Sequence, residues 1–104
     1  MSFDVRFSEA AHDDLAHLFD FLLDRAETVE VLDLAQAAIE AIRSAALNQL
    51  AATPYSFRKA GKSPTRRELI IPFGATGYVA VYEIAGPSSV VLLAARHQRE
   101  EDYH

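Results

Sequence analysis

The sequence predicts a two-layer α+β domain in the order β-α-α-β-β-β: an N-terminal strand and a two-helix hairpin packed on an antiparallel sheet. Three observations predict it. The chain opens on a short alternation of apolar and polar residues, followed by two long segments with apolar residues every three or four positions. Three apolar runs rich in β-branched and aromatic residues then follow in quick succession, separated by turns so short that they force antiparallel hairpins. With 104 residues there is length for one domain over 1–104 and one core, and roughly 65% of the unfolded surface is buried on folding a chain of this size.

Phe3, Val5 and Phe7 alternate with Asp4 and Arg6, which reads as a short strand, expected at an edge of the sheet. Ser8 stands at the N-cap of a helix over about residues 9–25, with Glu9 in the first turn, where the helix dipole favours an acid. Ala11, Leu15, Leu18 and Leu22 form its apolar stripe. His12, Asp13, Asp14, His17, Asp20 and Asp24 take the other side and read as a solvated face. Thr28 is the best cap for a second helix, which continues to about Ala52 with Leu32, Ala35, Ile39, Ile42, Ala46 and Leu50 in phase. Its many alanines favour helix and let neighbouring helices approach closely, and Thr53-Pro54 ends it.

From Tyr55 to Thr65 the chain reads as a polar surface loop carrying Arg58, Lys59 and Lys62. Arg67–Phe73 reads as a strand, with Pro72 marking a strand end or an edge. Gly74-Ala75-Thr76-Gly77 is a turn, Tyr78–Ala85 a strand, Gly86-Pro87-Ser88 a second turn and Ser89–Arg96 the last strand. A charged tail follows it.

Composition excludes several classes. There is no cysteine, hence no disulfide and no cysteine-based zinc or iron–sulfur site. No run of apolar residues is long enough to span a bilayer, and the N-terminus has no signal-peptide core, so the expected compartment is the cytoplasm. His12 and His17 lie five apart and do not share a helix face, so no metal site is expected, and no cofactor-binding motif is present. The net charge of −5 is unevenly spread: residues 1–57 hold ten acids and three bases, whereas residues 58–104 hold seven bases and five acids. A mildly basic face on an acidic body suits an anionic partner.

The cluster that carries chemistry is Arg96-His97-x-Arg99 with Tyr103, at the exit of the last strand. Strand alternation puts Arg96 and His97 on opposite faces, and Arg66 and Arg67 are expected near the same end of the sheet. Arginines with a histidine and a tyrosine can cleave RNA: the guanidinium stabilises phosphorane-like charge, and the imidazole and phenol move protons. The same residues also suit a charged strand end whose arginines pair with Glu68, Glu100, Glu101 and Asp102.

These residues bring a resemblance into view. Val5-Arg6-Phe7-Ser8-x-x-Ala11-x-x-Asp14-Leu15, Leu50-x-x-x-Pro54, Arg67-Glu68-Leu69, Gly77-Tyr78-x-x-Val81-Tyr82 and Val91-Leu92-Leu93-Ala94-Ala95-Arg96-His97-x-Arg99 occur in an order that resembles the RelE/ParE toxin superfamily of bacterial type II toxin–antitoxin, or plasmid-stabilisation, modules. The resemblance covers nearly the whole chain. It implies a growth-arresting toxin with one of two activities: RelE-type members cut mRNA on the ribosome, and ParE-type members poison DNA gyrase. RelE-like nucleases carry an arginine directly after the Gly-Tyr of the central strand, where this chain has Val79. They carry lysines on the preceding strand, where Ile70 and Pro72 stand. An apolar side chain cannot neutralise phosphate, and a chain at −5 gains little from phosphate attraction.

The resemblance therefore implies a ParE-like gyrase inhibitor, with the mRNA nuclease and a non-toxic antitoxin-binding relic as alternatives. It implies His97, Arg99 and Tyr103 as catalytic candidates if the chain is a nuclease, and Arg66, Arg67, Arg96, His97 and Arg99 as target contacts. A cognate antitoxin is implied as partner, its C-terminal segment folding on apolar surface for which Phe19, Phe21, Leu22 and Leu23 are candidates. Operator DNA is reached only through that antitoxin.

Overall fold

Ser8 caps the first helix as its position predicts: in the computed structural model, which describes residues 2–74 and 76–98, its hydroxyl oxygen accepts from the Ala11 N–H at 3.0 Å. The helix it opens, α1, spans Glu9–Asp24, after the strand β1 at Asp4–Phe7. Thr28 likewise accepts from the Val31 N–H at 3.2 Å and opens α2, Val29–Ala52. A single 3₁₀ turn, Pro54–Ser56, follows, and then β2 (Arg58–Lys59), β3 (Arg66–Phe73), β4 (Thr76–Ile84) and β5 (Ser89–His97).

The strands form one five-stranded sheet in the order β1-β5-β4-β3-β2. β3, β4 and β5 are antiparallel neighbours, as their short turns require. Three expectations change. β1 pairs with β5 in parallel, Val5 opposite Val90, so the sheet is mixed. No tight turn links these two strands, so local sequence does not set their direction. The expected surface loop holds a strand, β2, whose Arg58 and Lys59 lie opposite Glu68 and Arg67. β4 also starts earlier than expected, at Thr76, with Gly74 in the left-handed conformation (φ 62°) that a tight reversal after β3 favours.

Both helices bury their stripes on one side of this sheet. Ala11, Leu15 and Leu18 of α1 and Ala38, Ile42, Ala46 and Leu50 of α2 share a core with Leu69, Ile71, Tyr78, Ala80, Tyr82, Ile84, Val90, Leu92 and Ala95. Alanines in the α2 stripe let that helix lie close to the strands. The second half of the domain is pinned from below. Tyr82 is fully buried, and its hydroxyl donates to the Pro54 carbonyl at 2.5 Å. Burial pushes the Tyr82 phenol up to about 12, against the pull of the nearby Arg67 cation.

The antiparallel register contains one irregularity that matters downstream. Tyr82 lies opposite Leu92, but Val81 lies opposite Ala94, so β5 carries one extra residue at Leu93. The bulge shifts the alternation. Beyond it, Ala95 and His97 stand on the layer that faces the helices, and Ala94 and Arg96 stand on the open layer.

Candidate functional site at the end of the sheet

The last turn of β5 is held by the first helix. Beyond Phe7, β1 no longer covers the edge of β5, so the backbone groups of residues 93–97 on that side lose their strand partner. Helix α1 takes over. Ser8 Oγ lies 3.4 Å from the Leu93 carbonyl, and the Asp14 carboxylate accepts from the Ala95 N–H at 3.0 Å. Asp14, expected on a solvated face, is therefore half-buried and structural. Its signal in the sequence is its place four residues before Leu18, on the flank of the apolar stripe and not opposite it.

His97 sits two residues beyond this clamp, opposite Tyr78. The two rings meet edge to face with centroids 5.4 Å apart, and Phe73 lies 6.2 Å from Tyr78 on its own strand neighbour. Burial raises the Tyr78 phenol above its ordinary value. The aromatic end of the sheet is thus built from β3, β4 and β5 together. Arg96 stands on the other layer, opposite Val79, and the expected separation of Arg96 from His97 holds. Arg99 and Tyr103 lie outside the described residues.

Arg66 and Arg67 do not join this end. Arg66 lies opposite Glu83, which lies opposite Val91, and Arg96 is five residues further along β5. At ~3.3 Å per residue that is a separation of ~17 Å. The sequence placed both pairs at strand termini, but β3 begins where β5 begins and not where it ends. Each arginine also has local work. Arg66 lies 3.8 Å from Glu83, and Arg58 pairs with Glu68. Arg67 points to the helix layer, donates to the Phe57 carbonyl at 2.6 Å and lies under the Tyr55 ring. Its Nε is buried with no partner.

The open layer of the sheet is apolar through its middle. Ile70, Val79 and Arg96 form one cross-strand row, Pro72 and Gly77 the next towards the His97 end, and Glu68, Val81 and Ala94 the row on the other side. Val79 is fully buried although it lies outside the helix-facing core. Gly77 is required by close approach, because a Cβ there would sit 2.5 Å from the Ile71 carbonyl oxygen. Among the described residues, Arg96 is thus the one cation in the first two of these rows, while in the third Arg58 of β2 lies opposite Glu68.

The four apolar candidates of α1 diverge, since successive residues turn by about 100° around a helix. Leu22 packs on the core. Phe19 lines a groove of about 470 Å³ between α1 and α2, with Ala16, Ile39 and Arg43. Leu23 lines a second hollow with Ala26, Val29 and Leu32. Phe21 is 52% exposed, and the Arg25 guanidinium lies 4.3 Å from its ring centroid. Among the described residues, no group of three or more His, Asp or Glu could hold a metal ion, and no helix is long and apolar enough to cross a membrane.

This strand–helical hairpin–sheet plan, together with the sequence, has counterparts. Residues 5–102 match the family described as the ParE toxin of the type II toxin–antitoxin system parDE. The chain belongs to this toxin family. Toxin RelE3 of Caulobacter vibrioides is 38% identical over 96 residues, covering 92% of this chain and 95% of the relative. Toxin RelE1 of the same organism is 35% identical over 88 residues, covering 85% and 86%. Among solved structures, a chain of the Mycobacterium tuberculosis RelBE2 toxin–antitoxin complex covers 94% of this toxin and 100% of itself, with a TM-score of 0.61 at 21% identity. A chain of the chromosomal ParDE system of P. aeruginosa covers 92% and 96%, with a TM-score of 0.71 at 14% identity. At those identities the structures speak for the shared fold alone. Sequence and fold agree on the RelE/ParE superfamily of type II toxins.

Proposed function

We propose that this toxin acts in the ParE manner, inhibiting DNA gyrase, and that a cognate antitoxin neutralises it. One observation carries the choice of target. On the open layer of the sheet, Ile70, Pro72 and Val79 stand where RNA cleavage needs cations, and Arg96 alone carries charge in those rows. A lone guanidinium gives one charged contact to a phosphate whose transition state spreads charge over several oxygens. The histidine supports the same reading: His97 stacks on Tyr78 on the helix-facing layer, with Arg96 turned to the opposite layer. The antitoxin part of the reading is supported by the family match and by the complexes in which the two structural counterparts occur.

The test is supercoiling by purified gyrase at excess folded toxin. Inhibition with trapped cleaved DNA is expected, and unimpaired supercoiling refutes the gyrase reading. The curated relatives bear RelE names, which favours a second reading as a ribosome-dependent mRNA nuclease. That reading requires codon-positioned cuts on translating ribosomes that disappear in His97→Ala. Equal toxicity of His97→Ala in cells rejects it. Expression without growth arrest would instead assign the chain as a non-toxic antitoxin-binding relic.

A further inference from the structure

Charge is segregated along this chain, and the fold keeps it segregated in space. Residues 41–67 hold six of the ten bases and no acid, and five of those six (Arg58, Lys59, Lys62, Arg66, Arg67) fall on β2, β3 and the loop between them. Residues 20–34, around the turn from α1 to α2, hold five acids and one base. α1 runs along β5, from Ser8 beside Leu92 to Asp14 beside Ala95, and so carries the acidic turn towards the His97 end of the sheet. β3 begins at the other end, in the row of Arg66, Glu83 and Val91, six residues back along β5 from His97. At ~3.3 Å per residue the two ends lie ~20 Å apart, more than twice the Debye length of about 8 Å at physiological salt. The acidic end therefore does not cancel the basic one, and the net charge of −5 understates the field at the β2–β3 hairpin.

The hairpin presents these cations on an ordered frame. β2 is an edge strand of the sheet. The Ala60 N–H donates to the Arg66 carbonyl at 2.9 Å and closes the loop, with Gly61 in the left-handed conformation (φ 65°) and the Ser63 hydroxyl accepting from the Thr65 N–H at 3.3 Å. Arg58 pairs with Glu68, and Arg66 lies 3.8 Å from Glu83. Lys59 and Lys62 stand exposed beside these pairs. With both acids counted, the local charge is still 5 − 2 = +3. Arg67 is turned inward to the Phe57 carbonyl and adds to the field without being a contact.

The side chains of the hairpin select the class of partner. Between residues 58 and 67 they are basic or hydroxyl-bearing, apart from Ala60, Gly61 and Pro64. A protein interface is anchored by buried aromatic and large side chains in pockets, and this hairpin offers none. A phosphate backbone is held by lysine, arginine, serine and threonine, which is what the hairpin carries. We propose that the β2–β3 hairpin binds the phosphate backbone of duplex DNA through Lys59, Lys62 and Arg66, the choice of DNA over RNA resting on the gyrase reading above, in which the duplex is the one that gyrase holds. The acidic turn at the far end is repelled by the same duplex, so the toxin meets it hairpin first.

The experiment measures binding of the full-length toxin to a fluorescently labelled DNA duplex of about 20 base pairs by anisotropy, at salt from about 20 to 150 mM, with an RNA duplex of the same length beside it. Wild type is compared with Lys59→Gln/Lys62→Gln and with Lys59→Arg/Lys62→Arg. Both positions are exposed, and thermal melts check that each form is folded. Wild-type binding is expected to fall with salt. The glutamine pair is expected to bind ~10-fold more weakly at the lowest salt and to flatten the slope of log K against log salt by about 2, one for each lost phosphate contact, while the arginine pair binds as wild type does. The glutamine pair is also expected to raise the toxin concentration that inhibits gyrase supercoiling by a similar factor. No salt-dependent binding by folded wild type, equal binding by the glutamine pair, or tighter binding to the RNA duplex overturns the DNA site. Full inhibition of gyrase by the glutamine pair overturns its part in meeting the duplex on gyrase and leaves the gyrase reading intact. Unimpaired supercoiling with wild type, together with DNA binding that the glutamine pair loses, overturns the gyrase reading and supports the site.

Discussion

Asp14→Ala tests whether helix α1 really holds the end of β5. The carboxylate accepts from the Ala95 N–H at 3.0 Å, and the substitution leaves that amide on a sheet edge with no strand beside it. Hydrogen bonds to charged groups contribute about 1.5–3 kcal/mol when buried. Asp14 is half-exposed and water can reach part of the gap, so the expected loss is about 1–2 kcal/mol, and for a domain of this size that lowers Tm by roughly 5–15 °C. Two controls sharpen the reading. Asp13→Ala removes an acid from the exposed side of the same turn, with an expected change within about 0.5 kcal/mol. Asp14→Asn keeps an acceptor oxygen and is expected to retain more than half of the stability that Ala removes. Amide exchange gives the local signature: the Ala95 N–H should lose protection in Asp14→Ala before the core strands do. Asp14→Ala melting with Asp13→Ala, and with Ala95 exchange unchanged, would show that the clamp does not hold the strand.

Three further outcomes follow from the same geometry. Gly77→Ala places a Cβ 2.5 Å from the Ile71 carbonyl oxygen, so β3 and β4 must separate locally; a loss of about 1–3 kcal/mol in denaturant unfolding is expected. The Tyr82 phenol, held up to about 12 by burial, keeps its proton in the folded chain after the unfolded chain has lost it, so stability present below pH 10 falls as pH rises towards 12, by on the order of 2 kcal/mol. Tyr82→Phe should flatten that alkaline slope while lowering stability at neutral pH by about 1 kcal/mol through the lost bond to Pro54. Arg67→Met keeps the aliphatic stem but frees the Phe57 carbonyl, and should loosen the 54–57 segment to proteolysis while leaving gyrase inhibition unchanged, since Arg67 is turned to the helix layer.

The sequence by itself determined the parts that local physics controls. Ser8 and Thr28 are caps because their side-chain oxygens reach a helix amide three residues on. The stripes of α1 and α2 are buried because apolar side chains recur on one helix face. Short glycine turns left β3, β4 and β5 no arrangement but antiparallel neighbours. The family followed from the same residues, because its motifs sit on these elements.

Tertiary structure decided what depends on residues far apart in the chain. β1 runs parallel to β5 because α1 leaves along β5, and no turn encodes that. Which of Arg96 and His97 faces the helices was settled by one extra residue, Leu93, since a bulge reverses every later side chain of its strand. Antiparallel register separated Arg66 and Arg67 from Arg96, although all three stand at strand ends. Asp14 became structural because β1 stops at Phe7 and leaves an amide uncovered three residues beyond.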